Sequence, residues 1–389
     1  MRKESMMRYL PTVEHAAIDE VLASWQALYP ALGVYALLPE AEKQGVAVLQ
    51  AVCARREIPL VGGIFPDLVK DGEFCSGGVW LLCFAEMPYY SLRENLPTDT
   101  VGAERAAENI AAEIRLELKH TLDVTLFMLF DAMVPNISTL LDNIYLHLAN
   151  RVHYAGGNAG SESFQPMPCL FDGQRVVQNG VLLMLLKPHH GAIVEHGYHA
   201  PERTVYATST HGNRISQIDW RPAFEVYQEL VRAQYGVEIT AENFYQHAVH
   251  FPFGIIRANH HVVVRIPVML AEDGSLFCVG EVPANAMLAL LETPSVDTNE
   301  TLRVLMDGLI SLDGEPAGSE LLLLYCAGRR MHLGMEAATV ELQEFAARTQ
   351  AAQIAGALSL GEIGGSTVHG YPLFHNATLV ASCWHKKSA

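Results

Sequence analysis

Three short polar insertions in otherwise apolar sequence hold the residues best suited to chemistry. The first is "CAGRR" after the run "LLLLY", which supplies Cys326, Arg329 and Arg330. The second is "GALSLGEIGG", with Glu362, and the third is "GYPLFHNATLV", with His375 and Asn376. Each stands at the end of a run of strand length. If the three strands are neighbours, Arg329, Glu362, His375 and Asn376 converge on one site. A planar guanidinium there suits a carboxylate or phosphate, because it donates two parallel hydrogen bonds. The same residues also allow an internal Arg329–Glu362 ion pair that fixes the fold, and spacing does not choose between the two. Arg330, next along a strand, is expected to point the other way and to be structural. Basic neighbours are expected to lower the Cys326 thiol pKa. With His375 elsewhere in the chain, Cys326 then offers a Cys/His nucleophile; an inert core thiol is the other reading.

Histidines form a second constellation. "KPHHGAIVEHGYHAPE" places His189, His190, His196 and His199 together, and His211 follows in "TSTHGN". The pattern is not the H-E-x-x-H of a zinc helix, and its Pro and Gly speak for strands and turns. Imidazoles on neighbouring strands can ligate a metal or haem iron; partly exposed polar side chains are the alternative. His196 and His199 lie three apart, so on one strand they would face opposite sides and could not both reach one iron. The glycines of "AGGNAGSES" could cradle an anion on backbone N–H groups or make a tight turn. Neither a nucleotide loop nor G-x-S-x-G occurs.

The elements around these residues must come from a large globular core. Of 389 residues, half are hydrophobic and 18% are charged, with no long polar tail. A formal net charge of −17 argues against nucleic acid, whose phosphates need clustered Lys and Arg. The opening "MRKESMMRYLPTVEHAAIDE" lacks the apolar core of a secretion signal. "GVLLMLLK" and "ELLLLYC" are too short to cross a bilayer, so no membrane partner is expected. Seven scattered cysteines without a C-x-x-C pair read as reduced thiols in the cytoplasm.

A strand–helix–strand pattern recurs three times. It runs "LGVYALLPE", "KQGVAVLQAVCARRE", "IPLVGGIFP"; then "VTLFMLFDAMVPN", "STLLDNIYLHLAN", "RVHYAGGNAGSES"; then "LLLLYCAGRR", "MEAATVELQEFAARTQ", "QIAGALSLGEIGG". Strands alternating with helices imply an α/β fold. Between the units lie β-like segments such as "VLLMLLK", "RTVYATST" and "HHVVVRIPVML". The helix "RPAFEVYQELVRAQYG" follows "RISQIDW", which sets a boundary between Asp219 and Pro222. Two packed pseudo-symmetric halves of mixed β-sheet with flanking helices are expected, over 20–220 and 221–384.

Taken together, "LLLLYCAGRR", "GALSLGEIGG" and "PLFHNATL" resemble the C-terminal part of the FIST module, a bacterial sensory domain. The matching positions are Cys326, Arg329, Gly361, Glu362, Ile363, His375, Asn376, Thr378 and Leu379. "FPFGI" with Arg265 beyond it, and "GEVPANA", resemble the family's middle stretch; "GGIFPDLV" and "AGGNAGSESF" resemble turns of its N-terminal part. "GGIFPDLV" departs from the Gly-Glu usual after the first turn, and "AGSES" lacks an Asp often found there. The resemblance implies sensing rather than turnover, with Arg329, Glu362, His375, Asn376, Cys326 and Arg265 lining a pocket for a small ligand. With no appended output domain, the chain resembles the stand-alone branch of nitric-oxide-sensing haemoproteins. That branch implies haem b held by one of His189, His190, His196, His199 or His211. It also implies a separate partner, a sensor histidine kinase or a cyclic-di-GMP pathway. Two alternatives stand beside it: a haem-free sensor of a small anionic or zwitterionic ligand such as an amino acid, and a thiol-dependent enzyme using Cys326.

Overall fold

The computed structural model describes residues 5–118, 123–258, 261–294, 300–365 and 370–386; the first four residues of the opening segment lie outside them. The chain is α/β, two packed pseudo-symmetric halves of mixed sheet with helices on the outer faces. What repeats is a pair of parallel strands joined by a helix. The first unit is strand Gly33–Pro39, helix Gly45–Arg55 and strand Leu60–Phe65. The second is Thr125–Asp131, helix Ile137–Leu148 and His153–Ala159. The third is Glu320–Cys326, two helices, and Gln353–Ser359.

Burial explains why the strands read as continuous apolar runs. Strand Glu320–Cys326 is buried at every position, so neither face alternates with polar residues. The helices cover one face only. In Ile137–Leu148 the buried residues are Ile137, Leu140, Leu141, Ile144 and Leu148, a stripe of helical period.

Each unit gains an antiparallel strand on one side: Val79–Phe84 on the first, Val181–Leu186 on the second and Leu379–His385 on the third. Its other edge is closed by a strand lent from another unit. Leu68–Lys70 leaves the first unit and pairs with Gln353–Ser359 of the third. Leu170–Asp172 leaves the second and pairs with Leu60–Phe65 of the first. Glu362–Gly364 leaves the third and pairs with His153–Ala159 of the second. The exchange is cyclic. It satisfies backbone groups that an open sheet edge would leave unpaired. It also brings the second strands of all three units against one another.

Residues 205–290 add two small sheets and helix Ala223–Tyr235 around a core of their own, which includes Tyr227, Phe253 and Leu288. Here "HHVVVRIPVML" is not one strand. It breaks after Arg265 into Val262–Arg265 and Pro267–Leu270, which belong to different sheets. Pro267 has no N–H to carry a ladder onward.

Candidate functional site

Strand Glu320–Cys326 ends where Cys326, still extended, caps a short helix over Ala327–Leu333. Gly334, at φ +80°, closes the helix. This corrects the expected placement of Arg330: both arginines sit on a helix, where neighbours diverge by about 100° rather than alternating across a strand. Arg330 is buried and donates to Asp67 and to Glu162 (2.9 Å). Those carboxylates follow the second strands of the first and second units, so Arg330 ties all three units together.

Arg329 is more enclosed still. Its Nε and Nη2 donate to the two oxygens of Glu341 at 2.7 and 2.6 Å, and Nη1 donates to the carbonyls of His196 and Ala377. Of the two readings left open for Arg329, the internal ion pair is the one made, with Glu341 rather than Glu362 as its partner. Sequence reasoning passed over Glu341, although a signal existed. It falls on the buried stripe Ala338, Glu341, Leu342, Phe345 of helix Met335–Thr349, where a carboxylate requires a cation.

Glu362 lies deeper in the same region, fully buried. Its oxygens accept from the hydroxyls of Ser359 and Thr378 (2.6 Å). Burial raises its pKa to about 7. Burial also pushes the Cys326 thiol up, with the Glu362 charge adding to it. The expectation of a lowered thiol pKa is thus reversed. Cys326 is held as a protonated thiol whose sulfur accepts from Ala377 N–H (3.0 Å), which is the wrong state for a nucleophile.

Arg265 is also spent within the fold. It donates to the carbonyls of Glu281, Val264 and Phe374 and to Ser138 Oγ, and lies over the Phe374 ring. Burial lowers its pKa to about 10. It clamps strand Leu373–His375 through Phe374.

Two of the expected site residues meet at an opening. Cys326 and Asn376 line a cleft of about 40 Å³ together with Phe164, Ile266, Val268, Met331 and Leu360, with Tyr245 and Glu162 among the residues around it. Asn376 is 1% exposed; its Nδ2 donates to His375 O, and its Oδ1 has no partner among the described residues. Next to Leu360, both amide atoms of Asn158 are unpartnered as well, and so are both ring nitrogens of His375. Burial first, then the charges of His196 and Arg265, hold His375 neutral well below the ordinary range. Asn158 was not singled out in the sequence. Phe164 in the cleft wall adopts φ +52°, a conformation that bulky side chains avoid. The glycine-rich stretch before it is no anion cradle. Asn158 N–H donates to Gly361 O and Gly160 N–H to Ile64 O, within the sheets.

Comparison with known families settles the relationship. The FIST N domain profile matches residues 31–221 and the FIST C domain profile residues 223–365. The chain belongs to the FIST family. FIST domains are signal-transduction sensor domains that bind small ligands. Comparison with curated proteins gives no match. Among the described residues, no helix of this FIST chain is long and apolar enough to cross a membrane.

The five histidines of the FIST N half and its border do not gather. His211 lies exposed on a hairpin, and exposed His199 faces Glu300. His196 and His199 both lie beyond strand Ile193–Glu195, so the same-strand geometry does not arise. His196 uses both nitrogens, Nε2 donating to Val262 O and Nδ1 accepting from Tyr198 N–H. His189 and His190 instead line a groove of about 800 Å³ with Phe84, Met87, Tyr89 and Trp384. His189 Nδ1 accepts from Gly191 N–H, which leaves the proton on Nε2, and burial lowers its pKa to about 4. His190 Nδ1 meets Asp313 Oδ1 at 2.7 Å. No group of three or more His, Cys, Asp or Glu among the described residues is arranged to hold a bare metal ion.

Proposed function

We propose that this FIST protein is a cytoplasmic sensor whose small ligand enters the cleft beside Cys326 and Asn376 and is read out by a partner signalling protein. The observation that carries this reading is the unpartnered Oδ1 of Asn376, 1% exposed, in the wall of an open cleft. A buried acceptor without a donor costs about 1–3 kcal/mol, which a ligand donor would recover. The cleft stands where strand ends of the second and third units meet, so a ligand there bears on the packing between units. The arginines do not grip the ligand; they hold the walls. A melting screen of amino acids and small amines should find molecules that stabilise the protein. Asn376→Leu should weaken their binding by about tenfold in a calorimetric titration. Unchanged affinity in Asn376→Leu would remove the cleft from the account.

A second reading, haem-based sensing of nitric oxide, is favoured by the His190–Asp313 contact. A carboxylate on Nδ1 orients an imidazole and leaves Nε2 to ligate iron. The adjoining groove has the volume and the aromatic, apolar lining that a flat cofactor needs. His190 would hold haem there, with Asp313 as its positioning residue. Haem, when bound, would supply an iron that binds the gas. Absorption spectra of protein made with haem supplied decide the matter. A Soret band lost in His190→Ala and kept in His196→Ala is the expected pattern; no haem uptake, or a band that survives His190→Ala, contradicts it.

A further inference from the structure

We infer that the cleft selects a ligand with a cationic amine head, a primary ammonium on a short apolar chain, rather than a carboxylate. The inference rests on the cleft reading above and gives its ligand a chemical class.

The buried side-chain polar atom left without a partner in the cleft wall is an acceptor, Asn376 Oδ1. Asn376 Nδ2 is fixed by its bond to His375 O, so the amide oxygen is the atom left without a partner. Glu162 is the one charged residue in the wall among the described residues, and it is an anion. No Lys, Arg or His lines the space. The cations nearby are already engaged: Arg329 forks onto Glu341, and Arg330 is divided between Asp67 and Glu162.

A carboxylate entering this cleft would lose water and meet the oxygens of Asn376 and Glu162 with no cationic side chain to balance them, which is the costly way to bury a charge. An ammonium brings three donors to the same acceptors. The remaining wall, from Ile266, Val268, Phe164 and Met331, suits a methylene chain. Exposed Tyr245 (63%) could lie against that chain or face the cation. The protein's net charge of −17 raises the local concentration of cations over that of anions.

The test compares three probes of equal length on the full chain at pH 7: n-pentylamine, 1-pentanol and pentanoate, by calorimetric titration and melting temperature. Pentylammonium should bind at least tenfold tighter than pentanol, and pentanoate should not bind. Asn376→Leu should reduce amine affinity about tenfold. Glu162→Gln, at the more exposed mouth, should lower the ratio of amine to alcohol affinity about threefold, a change that a merely structural role would not produce. If Asn376→Leu does not fold, the wild-type ranking and the Glu162→Gln ratio still decide. Pentanoate binding tightest, and losing affinity in Glu162→Gln or Asn376→Leu, would overturn the amine class while keeping the cleft. Failure of all three probes to bind would overturn the amine class, and an amine that binds equally well to both variants would overturn the cleft with it.

Discussion

Arg329→Met should lower the stability of the protein by about 3–5 kcal/mol, the usual cost of leaving a buried charge without its partner. The charge left behind is Glu341, 2% exposed, which would keep only the Tyr325 hydroxyl as a donor (2.7 Å). The carbonyls of His196 and Ala377 would lose a donor as well. Replacing both members, Arg329→Met with Glu341→Leu, should recover most of the loss, because an apolar pair of similar volume avoids the desolvation of two ions. About 1 kcal/mol should remain lost through the orphaned Tyr325 hydroxyl. Arg329→Lys separates support from ligand recognition. A point charge cannot reproduce the fork onto Glu341, so stability should fall while ligand affinity stays within about twofold. Denaturant melts of the three variants, with one titration of Arg329→Lys, check each part.

Glu362 should make the protein less stable as pH rises from about 4.5 to 7. Its carboxyl titrates near 4.5 when unfolded and at about 7 in the fold, because burial disfavours the charged form. Over that window the folded state therefore holds a proton that the unfolded state has released. Its contribution is complete below the unfolded pKa and is lost as pH climbs through the folded one, in total about 3 kcal/mol. Buried histidines act with the opposite sign. Burial lowers both His189 and His332 to about 4, so their contribution is present above pH 6.5 and lost as pH falls towards 4. The wild-type profile sums these trends, and Glu362→Gln isolates one of them. Gln stays neutral and can still meet the Ser359 and Thr378 hydroxyls. Relative to wild type, the variant should gain about 1.4 kcal/mol per pH unit between pH 5 and 7. A difference that does not vary with pH would mean that Glu362 is ionised throughout.

The three strand–helix–strand units were legible because each strand is buried on both faces and each helix on one, which leaves apolar runs beside helical spacing. The exchange of edge strands between units was not. Pairings such as Gly356 with Val69, or Glu362 with Gly157, join residues hundreds of positions apart. Nothing local in "LVK" or "EIG" names the partner. The strand end at Cys326 was visible, but the helix begun there was not, because "AGRRMHL" is too short to show a period. That hid the roles of both arginines: Arg329 turned inward to Glu341, and Arg330 across to Asp67 and Glu162. Cys326 and Asn376 were named from the sequence and do share a cleft. Glu362 and Arg265 are spent in buried networks, and His375 is buried with both ring nitrogens unpartnered among the described residues. The density of histidines in "KPHHGAIVEHGYHAPE" overstated their closeness in space, since Gly191 and Gly197, both at positive φ, redirect the chain between them.

On the function proposed above, the sensory ligand binds in the cleft where the strand ends of the second and third units meet. A crystal structure of the protein grown with a small molecule that raises its melting temperature tests it most directly. Density is expected in the cleft bounded by Cys326, Ile266 and Met331, with a donor of the ligand on Asn376 Oδ1. Density only in the groove lined by His189 and His190, with the cleft unchanged, would contradict it.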